Sequence, residues 1–311
     1  MKPVFHALLS CLLFGLPGYA FAWDSFGHMV VASVAWQNLD APTRDKVITL
    51  LKKNPDYDRW IKNVSAANRD EYAFMEAATW ADDIKSDSAH TDDNDTPAGP
   101  HAARNVGYAD ILRHRYWHYI DFPFSPDNTP LGAPDPVNLQ TQIHAFRLKL
   151  KSSTASASLR SCDLVWLLHL VGDAHQPLHS TSRFTAALPM GDHGGGGVQV
   201  CPSSCSTTAK QALHTFWDDQ PGTGNDRRKA HLAAMNLPAA NPAAAAAIDD
   251  EQKWLEESFE LAKNDVYVAP VKNGKGPYAL SAAYNAHAKQ VAQQRLALAG
   301  ARLARVIEES F

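Results

Sequence analysis

The sequence predicts an all-α fold, a single mostly helical domain with very little strand. Three observations lead there. Apolar residues recur at helical spacing through nearly the whole chain, extended character shows in one aromatic stretch only, and no internal repeat or linker divides the molecule. The 311 residues are 45% apolar and 20% charged, with 8 Trp, 9 Tyr and 12 Phe, which is the make-up of a globular chain able to bury a sizeable core.

Taken in order, residues 27–39 place Val30, Val31, Val34 and Ala35 on one helical face. Pro42 opens a second helix through Val47, Leu50 and Leu51. Tyr72, Phe74, Met75 and Ala78 lead into Trp80-Ala81-Asp82, and residues 86–103, rich in Asp, Pro and Gly, form a loop. The aromatic run at 115–122 is predicted to be extended. Helices are expected again over 137–151 and 159–175, followed by an irregular region over 180–207 that includes the run Gly194 to Gly197. Alanines at 243–247 introduce a helix through Trp254, Ser258 and Leu261. The last helix, 280–309, carries Leu296, Leu298, Leu303 and Val306.

Residues 1–22 read as a secretory signal peptide. Lys2 supplies the positive start, residues 7–16 a short apolar run, and Ala20-Phe21-Ala22 an A-x-A cleavage site. The remaining domain is then 23–311, and the location secreted or periplasmic. No later stretch is apolar enough to span a bilayer, so no membrane association is expected after cleavage. Cys11 leaves with the leader, and of Cys162, Cys201 and Cys205 the preferred disulfide is Cys201–Cys205. The formal net charge of −4 excludes a strongly basic nucleic-acid surface, although not a local phosphate site. The 14 histidines are the composition signal that leads furthest.

Three motifs carry them. His169 and Asp173 stand four apart and so share a helix face, with His179 delivered beyond Pro177. His214 and Asp218 repeat the spacing, and Trp23 to His28 opens the domain. Imidazole nitrogens and carboxylate oxygens are donors that zinc prefers; one such pair is more often a solvated pair, but two of them with the extra His179 suggest a polynuclear centre. His175 falls between ligands yet faces elsewhere by helical phase. His90, His101, His114, His144, His193, His231 and His287 are expected to be surface or core histidines.

Together with Trp80-Ala81-Asp82 and His118-Tyr119-Ile120-Asp121, these motifs resemble the zinc-dependent single-strand nucleases and 3′-nucleotidases of fungi and plants and their secreted bacterial relatives. The likeness runs on through Trp254-x2-Glu257-Ser258 and Ala299-Gly300-Ala301-Arg302. It implies a helical fold holding three zinc ions. Asp82, His118, His169 and Asp173 would hold one. Asp173 would bridge to a second, bound by His28 and the main chain of Trp23, and His179, His214 and Asp218 would hold the third. The resemblance also implies hydrolysis of RNA and single-stranded DNA to 5′-phosphates with 3′-nucleotidase activity; separately, a monomer is expected. Asp121 would orient the attacking water, Lys85 would stabilise phosphorane charge, and Tyr119 and Asp219 would contact the substrate. The concentrated positive charge of three zincs would draw phosphate to an acidic chain.

Base contacts depart from the family pattern. Gly194 to Gly197 replace Gly-Gly-Asn, Asp219 and Gln220 stand where an asparagine and an aromatic are expected, and the segment 181–192 is longer. Two other readings compete: a zinc-dependent phospholipase C, and a non-catalytic zinc-binding host-interaction protein. The short spacing from Trp23 to His28 and Asp rather than Glu at 218 weigh against the lipase.

Overall fold

The computed structural model describes residues 23–246 and 250–311. The leader assigned to residues 1–22 and Ala247 of the alanine run lie outside these. Helix makes up 52% and strand 5%, in agreement with an all-α fold.

The first six helices are α1 (Ser25–Asn38), α2 (Ala41–Leu51), α3 (Tyr57–Trp60), α4 (Arg69–Ala77), α5 (Trp80–Ser86) and α6 (Leu139–Leu150). The next six are α7 (Ala157–Asp173), α8 (Leu213–Asp218), α9 (Arg227–Met235), α10 (Pro242–Ala246), α11 (Glu251–Leu261) and α12 (Ala282–Glu308). Sequence periodicity anticipated most of these but passed over α9, where only Ala230 and Ala234 are buried and the apolar stripe is correspondingly thin.

Helix α7 is the axis of the molecule. Ser156 caps its first turn by accepting from Leu159 N, and every residue from Ser161 to Asp173 is buried. A helix apolar on all sides is surrounded on all sides, so whatever polar residues it carries are brought to the middle of the fold. Helix α1 is nearly as enclosed, from Phe26 to Trp36, and packs against α12, α9 and α4.

The contact between α1 and α12 depends on Gly300. A Cβ there would overlap the Val34 side chain and lie 2.8 Å from the Val31 carbonyl oxygen. Gly300→Ala is therefore expected to lower the unfolding free energy by about 1–3 kcal/mol through overpacking. That outweighs the roughly 1 kcal/mol by which alanine is the better helix former. A urea titration checks this, and an increase in stability would contradict it.

Strand is confined to short pairings. β1 (Pro123–Phe124) runs parallel to β2 (Ser182–Arg183), with Pro123 opposite Ser182. β3 (Gln199–Cys201) lies between β4 (Gln211–Ala212), antiparallel, and β5 (Tyr278–Ala279), parallel. The first pair ties the chain leaving His118 to the chain leaving His179. The second fixes where α8 begins, since Leu213 N donates to Val198 O at 2.8 Å.

The stretch 115–122 corrects its extended expectation, because Arg115–Trp117 form a 3-10 turn. A strand would send neighbouring rings to opposite faces. Here Tyr116 and Trp117 are both buried, and Trp117 packs between His114, at 3.6 Å, and Trp166, at 4.9 Å. The sulfurs of Cys201 and Cys205 are bonded across a Cα–Cα distance of 5.2 Å, as preferred from the sequence, and Cys162 is a buried free thiol.

Two apolar clusters result. The larger surrounds α7 and α1. The smaller gathers Leu178, Val198, Val200, Leu213, Trp217, Val266 and Tyr284. The histidine- and aspartate-bearing segments meet where the two adjoin.

Candidate metal centre

Five separate stretches supply the centre. His28 comes from the first turn of α1 and Asp82 from the first turn of α5. His118 follows the 3-10 turn at Arg115–Trp117, and His169 and Asp173 come from the last turns of α7. Pro177 stops α7 from continuing and starts a 3-10 turn, Pro177–Ser180, that presents His179. His214 and Asp218 come from α8, whose six residues bring them onto one face.

The side chains converge in three groups whose candidate ligand atoms lie within 4.8 Å of one another: His28, Asp82 and His169; His118, His169 and Asp173; His179, His214 and Asp218. Asp173 stands between them. Its Oδ2 is 3.0 Å from His118 Nδ1 and 3.3 Å from His169 Nε2, while its Oδ1 is 3.4 Å from His28 Nε2 and 3.9 Å from His179 Nδ1. The His28 and His169 rings stack with centroids 3.7 Å apart. His214 Nε2 and His179 Nε2 face each other at 3.1 Å. None of the seven histidines set aside from the sequence belongs to a group of this kind among the described residues.

Main-chain carbonyls fix the ring orientations. His169 Nδ1 lies 2.8 Å from Ala78 O, His179 Nδ1 2.7 Å from His118 O, and His214 Nδ1 2.8 Å from Gly194 O. A carbonyl can only accept, so each Nδ1 carries the proton and each Nε2 presents a lone pair inward. Gly194 reaches His214 because its φ is 59° and it lacks a Cβ, which would strike the Leu178 carbonyl. Asp218 Oδ1 accepts from Gln176 Nε2 at 2.6 Å.

Electrostatics favour a cation here. Burial, and then the His169 imidazole, lower the pKa of His28, while burial together with Lys85 pushes His118 down to about 3. For His169, burial is outweighed by the Asp173 and Asp82 carboxylates, which raise it. Burial opposes ionisation of Asp173, but the imidazoles of His169 and His179 hold it well below the usual carboxylate range. Asp218 goes the other way. Burial raises it well above that range, and Asp219, Asp82 and Asp173 add to the rise. A fully buried carboxylate without a compensating charge is costly, and a metal ion supplies one.

The donor atoms fit that reading. Both ring nitrogens of His28, His118 Nε2, Asp173 Oδ1 and Asp218 Oδ2 are buried without a hydrogen-bond partner. Buried polar atoms are rarely left so, and here they cluster where imidazole and carboxylate donors of the zinc-ligand type already meet.

The other residues singled out from the sequence stand around this centre. Trp23 is fully buried and donates from Nε1 to Gly172 O at 3.0 Å, on the turn of α7 that carries Asp173. Lys85 is buried with its Nζ 2.6 Å from Asp82 Oδ1. The carboxylate of Asp82 is buried, which works against its charge, but Lys85 and the nearby imidazoles hold it well below its ordinary pKa. Asp121 is half-buried and belongs to none of the three groups, and its neighbour Ile120 donates from N to His179 O at 2.9 Å. Burial, with help from Asp192 and Asp135, pushes the Asp121 carboxyl up to about 7. Tyr119 is half-buried, and its hydroxyl donates to the Asp95 carbonyl. Asp219 closes α8, its pKa raised by burial and by Asp24.

Behind the centre lies a polar clamp that the sequence marked only as shared motifs. Arg302 donates to both oxygens of Glu257, at 2.7 and 2.8 Å, and from Nη1 to His175 Nε2 at 3.0 Å. Arg295 donates to His175 O, Glu257 and Ser258 Oγ, and Ser258 Oγ donates to Ala174 O at 2.6 Å. These bonds satisfy carbonyls at the end of α7 and place cations where the helix dipole favours them. His175 is thereby turned away from the centre, as helical phase implied. The paired spacing of Arg295 and Arg302 along α12 was the available signal.

Fold and site together define a class: a mostly helical protein whose buried imidazoles and carboxylates meet in several groups that could bind metal. The S1/P1 nuclease family model matches residues 23–311, and the chain belongs to that family. Membership supports a nuclease activity on nucleic acid. No curated protein matches the chain.

Proposed function

We propose that the chain is a zinc-dependent phosphodiesterase that hydrolyses RNA and single-stranded DNA to 5′-phosphate products and also acts as a 3′-nucleotidase. The observation that carries this reading is the cluster of partnerless buried nitrogen and oxygen atoms among eight convergent imidazole and carboxylate side chains. Asp82, His118, His169 and Asp173 would hold one zinc, and Asp173 would share a second with His28 and the main chain of Trp23. His179, His214 and Asp218 would hold a third. Zinc bound there supplies positive charge for phosphate oxygens and readies solvent for nucleophilic attack near neutral pH.

The remaining work falls to the chain. The buried Lys85 ammonium adds fixed positive charge beside Asp82 and is suited to phosphorane oxygens in a site with little water. Asp121, half-buried three residues beyond His118, is the carboxylate that would orient the attacking water. Tyr119 offers a ring face for a base, and Asp219 a carboxylate for base or sugar groups. With Gly196 in place of an asparagine amide, base recognition would rest on stacking more than on hydrogen-bonded readout. The disulfide and the A-x-A motif support export, and we place the chain outside the cytoplasm as a monomer.

Turnover of denatured DNA and of RNA, measured beside turnover of a choline phospholipid, tests the function. Nucleic-acid turnover that stops on chelation and returns with zinc is expected. Lipid turnover alone would reverse the assignment, and bound zinc with neither activity would favour a binding protein. Asp121→Asn is expected to keep its zinc and lose roughly a hundredfold in rate, because it removes a water-orienting charge and no ligand. Loss of zinc from that variant would count against the role.

A further inference from the structure

We propose that Gln176 is the positioning residue that fixes Asp218 as a one-oxygen ligand and so sets the affinity of the His179–His214–Asp218 group. This rests on the zinc reading above. In that group every ligand has its second polar atom anchored. His179 Nδ1 is held by the His118 carbonyl at 2.7 Å, His214 Nδ1 by the Gly194 carbonyl at 2.8 Å, and Asp218 Oδ1 by Gln176 Nε2 at 2.6 Å. Two of the three anchors are main chain, which no substitution at those positions removes. Gln176 is the side-chain anchor, and it is completely buried.

The direction of its amide is fixed by its other end. Gln176 Oε1 accepts from Leu178 N, capping the 3-10 turn that carries His179, so the NH2 must face Asp218. One side chain thus couples the two segments that supply the ligands. With Oδ1 occupied, Asp218 Oδ2 is the oxygen left without a partner, 3.5 Å from His214 Nε2. An amide donor also suits the task electrically. It strengthens the carboxylate through a charge-assisted bond but brings no positive charge to compete with an ion, unlike Lys85 on Asp82. Outer partners of this kind hold first ligands in orientation, and losing one costs about 10- to 100-fold in metal affinity.

The test measures zinc retained by the full mature chain against increasing chelator, with the visible spectrum of the cobalt-substituted form as a second readout. Gln176→Met removes the donor. Gln176→Asn keeps a helix-capping acceptor for Leu178 N but falls a methylene short of Asp218, so the turn is preserved if Met disturbs it. His214→Ala marks the step that belongs to this group. Both Gln176 variants are expected to weaken that one step 10- to 100-fold and change its cobalt spectrum while leaving the other ions as in the parent, and Gln176→Asn, which keeps the cap, is expected to leave the melting of the zinc-free chain as in the parent too. A merely structural role would lower the melting of the zinc-free chain and leave that step in place. Parent-like retention of every ion by Gln176→Asn would overturn the proposal alone. Failure of His214→Ala to lose an ion would overturn the zinc reading with it.

Discussion

Asp173→Ala is expected to leave the chain with at most one firmly bound zinc and to reduce nuclease activity to background. Both oxygens of Asp173 are committed to the centre, Oδ2 toward His118 and His169 and Oδ1 toward His28 and His179, over 3.0–3.9 Å. The residue is fully buried, so no solvent replaces the lost oxygens. Without it, His28, His118 and His169 would retain Asp82 as their carboxylate, and Lys85 already sits 2.6 Å from that group. Too little negative charge would remain to offset two dications in a buried site. The group at His179, His214 and Asp218 would keep its own carboxylate. Metal analysis of the purified variant decides the matter, and two zincs still tightly held would contradict the bridging role. Asp173→Asn separates charge from shape, since it preserves the side chain's volume and is expected to lose the same ions.

The largest effect on stability is expected from Arg302→Met. The Arg302 side chain is fully buried, joined to Glu257 through two bonds, to His175 through one and to Ala244 O at 3.1 Å. Methionine fills much of the volume but leaves His175 Nε2 buried without a donor and Glu257 with Arg295 alone. Breaking a buried ion pair from one side costs about 3–5 kcal/mol. The low end, about 3 kcal/mol, is expected here because Glu257 keeps a second arginine and 38% of its side chain is exposed. Arg302→Lys is expected to recover little of this, since an ammonium cannot make the two parallel bonds to Glu257. Denaturant unfolding of the zinc-free chain gives the value directly, and a change below about 1 kcal/mol would show that the clamp is not a source of stability.

Much of the centre was legible from spacing. His169 with Asp173 and His214 with Asp218 are four apart, and on a helix that is enough to place each pair on one face. Pro177 announced the turn that frees His179 from α7. The phase of His175 likewise said that it would point away, and it does so into Arg302. What spacing could not reveal was the partner of each ligand's second atom. Ala78, His118 and Gly194 contribute carbonyls, which carry no sequence signature, and Gln176 reads as an ordinary polar residue beside a proline. The aromatic run at 115–122 failed for a related reason. Its composition favours strand, but Trp117 is more stable wedged between His114 and Trp166 than it would be facing solvent on a two-residue edge.

The sequence by itself determined the helical class, the pairing of His169 with Asp173 and of His214 with Asp218, and the preference for a disulfide between Cys201 and Cys205, because each depends on residues close together in the chain or on a local period. Asp82 and His118 entered as ligands only through the family resemblance. The tertiary structure alone decided that five distant stretches meet, that Asp173 stands between the groups, and that Lys85 is bound to Asp82. It also decided that the end of α7 is gripped from behind by arginines of α12. Those facts depend on how α7 is enclosed, and burial of that kind is a property of the packed whole that no local pattern records.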